Sequence, residues 1–290
     1  MMRKCAAGLL VAAIGVLAVA SRCTAEPLRV MTFNVRYVTK SDGENQWSLR
    51  REMLEKVIHD FDPDVLGVQE ALREQMDALA EALPGHASVG VGRDPDGGGE
   101  YSAVFYRRGR FDLEAADTFW LSETPTVPGS HTWGNMLPRV CTWVRLLDRS
   151  NSRRFTAFNT HWDHQSQPAR LASGTLMGKR IAERCAIGEP VLAMGDFNSA
   201  EANPSLVELT NKGELLRDTF RVIHPDDVDV GTAHAFSGRI TGGKIDYIWV
   251  TADWKVEEAE IVRTHEGQRY PSDHFPVTAV VEMKEMTTEK

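Results

Sequence analysis

Hydrophobic positions along the chain follow two periods, one typical of strands and one typical of helices. Segment 101–107 (YSAVFYR) alternates in the way expected of a strand with one face in water. Segment 47–61 (WSLRREMLEKVIHDF) instead repeats its apolar residues every three or four positions, which indicates an amphipathic helix. These patterns predict strands at 28–35, 64–70, 101–107, 142–147, 153–161, 190–198, 244–250, 255–262 and 275–283. They predict helices at 47–61, 71–83, 166–188 and 203–213.

Several boundaries of these segments are marked by residues that suit the end of an element. Ser166 is a candidate N-cap, and Pro168 falls in the first helical turn, where its missing N–H costs nothing. Asn203 and Pro204 mark the start of the next helix in the same way. The glycine-dense stretch 93–100 (RDPDGGGE) predicts a turn between two strands.

Strands outnumber helices in this pattern, and many strands are separated only by short turns. Such an α/β chain favours two mainly antiparallel sheets packed face to face, with helices outside, over a doubly wound parallel sheet. No linker-like stretch follows Pro27, so we predict one domain over residues 26–285 and a polar tail at 286–290. The segments VMTFNVR and FTAFNTH both place Asn after Phe at the end of a strand, which would suit two similar halves.

The first 25 residues have the pattern of an export signal. Arg3 and Lys4 precede a long uncharged apolar stretch, and a short segment rich in small residues leads to Ala25. We therefore expect cleavage after Ala25, a periplasmic or extracellular location, and no stable membrane insertion after cleavage. The apolar stretch is also close to the length of a membrane span, so its retention as an N-terminal anchor is the alternative.

The charge balance disfavours tight binding to duplex nucleic acid. The chain carries 33 Lys and Arg against 41 Asp and Glu, a net charge of −8. Loss of the signal removes Arg3, Lys4 and Arg22 but no acid, which leaves 30 basic against 41 acidic residues and a net charge of −11. Such a surface repels the phosphates of nucleic acid. Cys141 and Cys185 remain after the signal, and they could form a disulfide or stay two separate buried thiols.

Polar residues with metal-binding or proton-transfer chemistry recur at the ends of the predicted strands. A single carboxylate there is usually a cap or a turn residue. Buried charges, however, are normally paired or bound to a metal, and strand ends in α/β folds form ligand-binding crevices. Several such residues together therefore predict a functional site. They are Asn34, Glu70, Asn159, His161, Asp163, Asp196, Asn198, Asp246, Asp273 and His274.

Six motifs in chain order carry a resemblance to a known family. TFNVR, VQE, NTHWDH, GDFN, KIDYIWV and SDHFPV resemble the motifs of the endonuclease/exonuclease/phosphatase family of metal-dependent phosphoesterases. The resemblance covers about residues 28–283, and DGENQW, FWLSETP and YPSDHFPV look closest to its secreted bacterial members. It implies a DNase I-like four-layer α/β sandwich, which agrees with the strand-rich pattern.

The resemblance implies that Glu70 is the main metal ligand, with Asn34 beside it and Asp273 as a further ligand. These hard oxygen ligands favour Mg²⁺, with Mn²⁺ and Ca²⁺ as alternatives and zinc less favoured. Asp196 would orient and deprotonate the attacking water. Asn198 would donate a hydrogen bond to that water or to a phosphate oxygen.

Two imidazoles and a guanidinium would surround the phosphate. His274 would donate to a non-bridging oxygen, with Asp246 fixing its tautomer and raising its pKa. His161 would lie on the other side of the phosphate, with Glu100 as its carboxylate partner. Arg139 would bind two phosphate oxygens at once.

Four further residues and one stretch of chain are weaker candidates. Asn159 and Asp163 would support His161 and the substrate, although Asp163 is equally suited to cap the helix that starts near residue 166. His164 and Arg50 are candidates for the rim of the site. The Trp-rich stretch 119–133 is either a wall of the pocket or an ordinary packed connection.

The sequence therefore predicts a secreted, Mg²⁺-dependent phosphoesterase that uses an Asp-activated water for in-line attack on phosphorus. Its substrate would be a nucleic acid, a nucleotide, a sugar phosphate or a phospholipid headgroup, and we expect a monomer. The alternative is a secreted binding module that keeps the fold without catalysis.

Overall fold

The computed structural model describes residues 26–285. In this range the chain forms twelve β-strands and five α-helices, with a 3-10 helix, Lys40–Asn45, before α1. The strands are β1 (Leu28–Asn34), β2 (Val65–Ala71), β3 (His86–Val89), β4 (Tyr101–Arg107), β5 (Phe111–Trp120), β6 (Val140–Asp148), β7 (Arg153–His161), β8 (Val191–Asp196), β9 (Arg217–Asp218), β10 (Asp246–Val250), β11 (Trp254–Ile261) and β12 (Val277–Met283). The helices are α1 (Trp47–Phe61), α2 (Arg73–Ala82), α3 (Gln167–Cys185), α4 (Pro204–Thr210) and α5 (Thr219–Ile223).

The strands form two six-stranded sheets of matching design. The first has the order β11-β12-β1-β2-β4-β3, and the second has the order β5-β6-β7-β8-β10-β9. In each sheet one pair is parallel, β1 with β2 and β7 with β8, and the other pairs are antiparallel. This arrangement places β1 and β7, the two strands in which the Phe-Asn pattern repeats, at equivalent positions.

Three apolar clusters hold the layers together. One lies between the two sheets and includes Val30 and Phe155. A second packs the first sheet against α1 and α2 around Leu54, and a third packs the second sheet against α3 and α4 around Met177. The predicted four-layer sandwich, with two mainly antiparallel sheets inside and helices outside, is confirmed.

The predicted caps at the starts of α3 and α4 are also confirmed. The side chain of Ser166 accepts a hydrogen bond from the backbone N–H of Ala169 at 3.2 Å, so it caps α3. Asn203 caps α4 by accepting from the backbone N–H of Ser205 at 2.9 Å. Each helix has a proline in its first turn, where no intrahelical donor is needed.

Within residues 26–285, the hydrophobic pattern does not predict five elements, which are β3, β5, β9, α5 and the 3-10 helix. β5 is an edge strand that pairs only with β6, and most of its side chains are at least partly exposed. A bulge between Leu113 and Ala115 interrupts its alternation, which removes the period-two signal. α2 begins at Arg73 rather than Ala71, because Ala71 still belongs to β2.

Within residues 26–285, none of the helices combines the length and the apolar character that crossing a bilayer requires. The predicted export signal and the polar tail lie outside the described residues.

Candidate active site

The carboxyl ends of the two parallel strand pairs meet at one end of the sandwich, where they border a cavity of about 610 Å³. Eight of the predicted site residues line this cavity: Glu70, Glu100, Arg139, His161, Asp196, Asn198, Asp273 and His274. The remaining lining residues are Arg36, Tyr37, Arg93, Leu137 and the rim candidate His164. Distant parts of the sequence therefore converge on a single site.

A larger cavity, of about 790 Å³, lies at the opposite end of the sandwich. Three of its four guanidinium groups pair with carboxylates, and the fourth, that of Arg29, donates to the backbone oxygen of Phe61. Arg107 donates to Asp64 at 3.0 Å, and Arg110 donates to Asp64 at 2.7 Å and to Asp148 at 2.9 Å. None of the predicted site residues lines it. We therefore place the chemistry in the smaller cavity, despite its size.

His274 and Asp246 form a buried pair in the wall of the site. Nδ1 of His274 lies 3.0 Å from Oδ2 of Asp246, so the protonated nitrogen donates to the carboxylate. Burial lowers the pKa of His274, but the charge and hydrogen bond of Asp246 outweigh this and hold the pKa well above its usual value. Asp246 does not line the cavity itself. The two side chains are paired as the sequence predicts. The imidazole of His274 lines the cavity, and the carboxylate of Asp246 lies behind the imidazole.

Asp196 lies at the centre of the site and is 1% exposed. Its Oδ1 accepts from the backbone N–H of Asn198 at 2.9 Å, and its Oδ2 accepts from Nδ2 of Asn34 at 3.1 Å. The same Oδ2 is 3.5 Å from Nε2 of His161 and 3.9 Å from Nδ1 of His274. Burial, reinforced by the charge of Asp246, raises the pKa of Asp196 to about 7.

The backbone conformation of two residues of the site, Glu70 and Asn198, sets the direction of their side chains. Glu70 has φ of 63° and Asn198 has φ of 45°, a left-handed conformation that is uncommon outside glycine. Glu70 lies where a bulge shifts the register between β2 and β4. Such conformations concentrate at functional sites, where the surrounding structure compensates for their strain. For Asn198 the compensation includes its side-chain Nδ2, which donates to the backbone oxygen of Trp162 at 3.0 Å.

The side chain of Asn34 bridges two carboxylates by hydrogen bonds and does not present a free oxygen to a metal ion. Its Nδ2 donates to Oε1 of Glu70 at 3.0 Å and to Asp196, while its Oδ1 accepts from the backbone N–H of Arg36 at 3.0 Å. The side chain is fully buried. Both ends of its amide are therefore engaged by the protein, and Asn34 orients Glu70.

Arg36 adds a cation that the sequence analysis does not identify. Its guanidinium lies 4.0 Å from Glu70 and 3.8 Å from Asp273. Two hydrogen bonds to Asp42, at 3.1 and 2.9 Å, hold it in place. The hydrogen bonding to Asp42 raises the pKa of Arg36, although burial opposes it. The one signal in the sequence is its position, two residues after Asn34 in TFNVR.

Glu100 is placed near His161 but is bonded elsewhere. Its Oε2 is 3.8 Å from Nδ1 of His161, which is too long for a hydrogen bond, and 2.7 Å from Nη1 of Arg93. Burial raises the pKa of Glu100, and burial lowers the pKa of His161 well below its usual value. His161 is therefore a neutral imidazole in this site.

Asn159 does not reach the cavity. It is fully buried, and its Nδ2 donates to the backbone oxygens of Val68 and Ala103 at 2.9 and 2.8 Å, across to the other sheet. Its Oδ1 accepts from Gln69 at 2.6 Å. The expectation that Asn159 binds substrate is replaced by a structural role, that of a polar bridge between the sheets.

The structure also shows what three weaker candidates contact. Asp163 accepts from the backbone N–H groups of Gln165 and Ser166 at 3.0 and 2.6 Å, so it fixes the turn that leads into α3. Arg50 is 2% exposed and binds backbone oxygens rather than the rim of the site. The stretch 119–133 does not line the cavity, but it supports the loop 93–100 because Trp120 donates to the backbone oxygen of Arg93 at 2.7 Å.

Comparisons with known proteins agree with this architecture. A model of the endonuclease/exonuclease/phosphatase family matches residues 31–274. A solved family protein from Bacteroides thetaiotaomicron superimposes with a TM-score of 0.82 and 31% identity over 90% of this chain and 99% of its own. A family protein from Bacteroides vulgatus gives 0.80 and 33% identity over 89% of this chain and 99% of its own.

A third solved structure is a mannosyl-6-phosphatase from Bacteroides thetaiotaomicron. It is similar at a TM-score of 0.79 and 31% identity, over 88% of this chain and 99% of its own. No curated protein sequence matches the chain. The family match spans most of the sequence and both sheets. The chain therefore belongs to the endonuclease/exonuclease/phosphatase family.

Proposed function

We propose that the protein is a Mg²⁺-dependent phosphoesterase in which Asp196 activates a water for in-line attack on phosphorus. The observation that carries this proposal is the buried Asp196 carboxylate, which lies within 4 Å of two imidazoles in a cavity that also presents Glu70 and Arg139. Phosphate ester hydrolysis needs a base for water, donors for the developing charge, and a cation on the phosphate. The first two are provided by these side chains.

The residues of the site fit a divalent cation. Glu70 and Asp273 are crowded carboxylates in the cavity wall, and burial together with the charge of Glu70 raises the pKa of Asp273. Both would hold the ion, and oxygen donors favour Mg²⁺ over softer metals. When bound, the ion would neutralise phosphate charge and acidify a coordinated water.

A second acidic cluster is less suited to a metal. Asp196, Asp246 and His274 place one ligand atom each within 4.8 Å of one another. In this cluster, however, His274 Nδ1 is already bonded to Asp246. We therefore assign these three residues to proton transfer and charge stabilisation, and the metal to the side of Glu70.

The proton steps follow from the positions of these side chains. A base with a pKa of about 7 is well matched to neutral pH, and Asp196 has this property. Because Nδ1 of His274 donates to Asp246, its Nε2–H is the donor for a non-bridging phosphate oxygen. Arg139 adds a guanidinium that suits two phosphate oxygens.

We further propose that the substrate is a small soluble phosphate ester and that the enzyme is exported and monomeric. A cavity of about 610 Å³ is in the range of small-ligand sites. The acidic charge disfavours long nucleic acid. The similar mannosyl-6-phosphatase makes sugar phosphates the first substrates to test.

The test is hydrolysis with Mg²⁺, Mn²⁺, Ca²⁺ or EDTA, measured as inorganic phosphate released from sugar phosphates and nucleotides and as cleavage products of single-stranded DNA, RNA and sphingomyelin. Asp196→Asn should lower kcat by about 10²- to 10⁴-fold. Asp112→Asn, an exposed carboxylate at the other end of the sandwich, is the matched control and should not change kcat. A folded Asp196→Asn protein as active as the parent would refute the assigned base. Phosphate binding without turnover of any ester would favour the non-catalytic binding module.

A further inference from the structure

Two guanidinium groups share one wall of the cavity, and both have unused donors. Arg139 is 4% exposed, and its Nη2 donates to Nδ1 of His164 at 2.9 Å. Within residues 26–285 its Nε and Nη1 have no hydrogen-bond acceptor, since the carboxylates of Asp163 and Glu100 lie at 3.7 and 4.0 Å. Arg93 donates through Nη1 to Glu100, and its buried Nε has no acceptor in the same range. Buried donors without acceptors are costly, and both arginines line the cavity, so an anion bound there would lie against guanidinium groups whose donors the protein does not fully use.

Arg93 is held in place by the loop that carries it. Its backbone N–H donates to the backbone oxygen of Glu100 at 3.1 Å, and its own oxygen accepts from Trp120. Gly99 has φ of 74°, a left-handed conformation that favours glycine, so glycine suits the loop at this point. A guanidinium fixed in advance loses little side-chain entropy when it binds an anion.

The space behind the two arginines is closed. The recess bordered by Arg93, Glu100, Ser102, Arg139, Val140 and His161 has no room for a water molecule. A phosphate oxygen can approach this wall from the cavity, but an ester substituent cannot pass through it. The closed wall therefore places two guanidinium groups and one carboxylate, Glu100, next to one another.

This geometry distinguishes the two classes of phosphate ester. The phosphoryl end of a monoester has three non-bridging oxygens, two negative charges and one substituent. A diester has two such oxygens, one charge and two substituents. A closed wall with two guanidinium groups against one carboxylate, Glu100, matches the monoester, because it offers donors to an additional charged oxygen where a diester would need room for a second group.

We propose that Arg93 is a substrate-binding residue and that, together with Arg139, it selects phosphate monoesters over diesters. This inference rests on the proposed function, since the group bound is the one that is hydrolysed. It adds Arg93 to the substrate-binding residues and narrows the proposed substrates from phosphate esters to phosphate monoesters.

The experiment compares p-nitrophenyl phosphate with bis(p-nitrophenyl) phosphate in the parent and in Arg93→Gln. The parent should prefer the monoester. The variant should lose about 10- to 100-fold in kcat/KM for the monoester, as expected for one charge-assisted hydrogen bond, and the monoester-to-diester ratio should fall. Arg149→Gln is the matched control, because Arg149 follows the far end of β6, about 30 Å from Arg139. It should leave both rates unchanged.

Binding provides a readout that does not depend on turnover. Calorimetry with inorganic phosphate, at a pH where it is a dianion, and with dimethyl phosphate should show that the parent prefers the dianion and that Arg93→Gln loses this preference. Arg139→Lys keeps the charge but loses the planar fork, so it should weaken phosphate binding with less effect than removal of the charge. Urea unfolding checks that each variant is folded.

The outcomes separate this inference from the proposed function. A parent that prefers the diester, an Arg93→Gln protein that binds phosphate as tightly as the parent, or an equal loss on both substrates overturns the role of Arg93. Failure to hydrolyse either ester contradicts the proposed function instead, and the calorimetric comparison then still decides whether Arg93 selects the dianion.

Discussion

At the scale of a single residue, Arg50 stabilises the backbone segments that carry the residues of the site. Its guanidinium donates to the backbone oxygens of Val35 and Pro271 at 2.7 and 2.9 Å, and to those of Arg36 and Asn45 at 2.7 and 2.9 Å. It thereby connects the end of β1, the 3-10 helix and the segment that leads to Asp273. Burial lowers its pKa to about 10, so it remains protonated at neutral pH.

Arg50→Met should therefore lower the free energy of unfolding by about 3 kcal/mol, because it leaves buried carbonyl groups without donors. Urea unfolding of the metal-free protein measures this. The control is Arg51→Met at the next position of α1, whose guanidinium is 37% exposed and pairs with Glu55. Exposed pairs contribute about 0–1 kcal/mol, so a loss at Arg51 as large as that at Arg50 would contradict the assigned role.

The residues of the site could be predicted from the sequence where a polar side chain lies at the end of a strand. They could be predicted less well where the depth of a side chain within the sandwich decides whether it reaches the cavity. His161 and Asn159 lie on the same strand and the same face, two positions apart. Two positions correspond to about 7 Å along a strand. That distance takes Asn159 from the cavity to the interior between the sheets, where backbone oxygens of the other sheet bind it. Sequence spacing does not show where the opposing sheet begins.

At the scale of elements, α3 and α4 depend on a close backbone approach. A Cβ on Gly174 of α3 would lie 2.3 Å from the backbone oxygen of Ser205. Gly→Ala normally stabilises a helix interior by about 1 kcal/mol. Here Gly174→Ala should instead destabilise the protein by about 1–3 kcal/mol, because α4 must move. Thermal unfolding measures this, and Thr175→Ala on the exposed face of α3 is the control. A stabilised Gly174→Ala protein would show that the helices can separate at no cost.

β3 contributes a pH dependence through His86. This side chain is 9% exposed, its Nε2 bonds to the backbone oxygen of Pro63 at 2.8 Å, and burial lowers its pKa. The unfolded chain therefore binds a proton more readily than the folded chain below the ordinary histidine pKa of about 6.5. Stability from His86 is complete above that pH and is lost as the pH falls towards the folded pKa. His86→Gln should lose less stability between neutral and mildly acidic pH than the parent, and an unchanged loss would exclude His86 as the cause.

Elements with a clear period of apolar residues could be predicted from the sequence. Elements that depend mainly on hydrogen bonds to a neighbouring strand could not. α1 begins and ends at the residues that its apolar spacing predicts. β5 lies at a sheet edge and has few buried side chains, so hydrogen bonds to β6 rather than apolar periodicity maintain it. β9 has two residues, which is too short for any period.

At the scale of the molecule, the site lies where two equivalent halves meet. The first sheet presents Asn34 and Glu70 at the ends of its parallel pair, and the second presents His161 and Asp196 at the ends of its own. The ordered motifs were sufficient to predict the fold. The equivalence of the halves rests on strand order and register, of which the sequence retains only a Phe-Asn pattern at β1 and β7.

The stability of the whole domain should not depend on the redox state of Cys141 and Cys185. Both are free thiols in the structure, Cys141 is fully buried in β6, and burial raises the pKa of its thiol, which suppresses reaction. A disulfide between them would close a long loop and contribute about 4 kcal/mol, so its reduction would lower the melting temperature clearly. We therefore expect the same unfolding midpoint with and without dithiothreitol, and separate Cys141 and Cys185 peptides in a non-reducing digest of the purified protein. A linked peptide together with a lower midpoint after reduction would show that a disulfide joins Cys141 and Cys185.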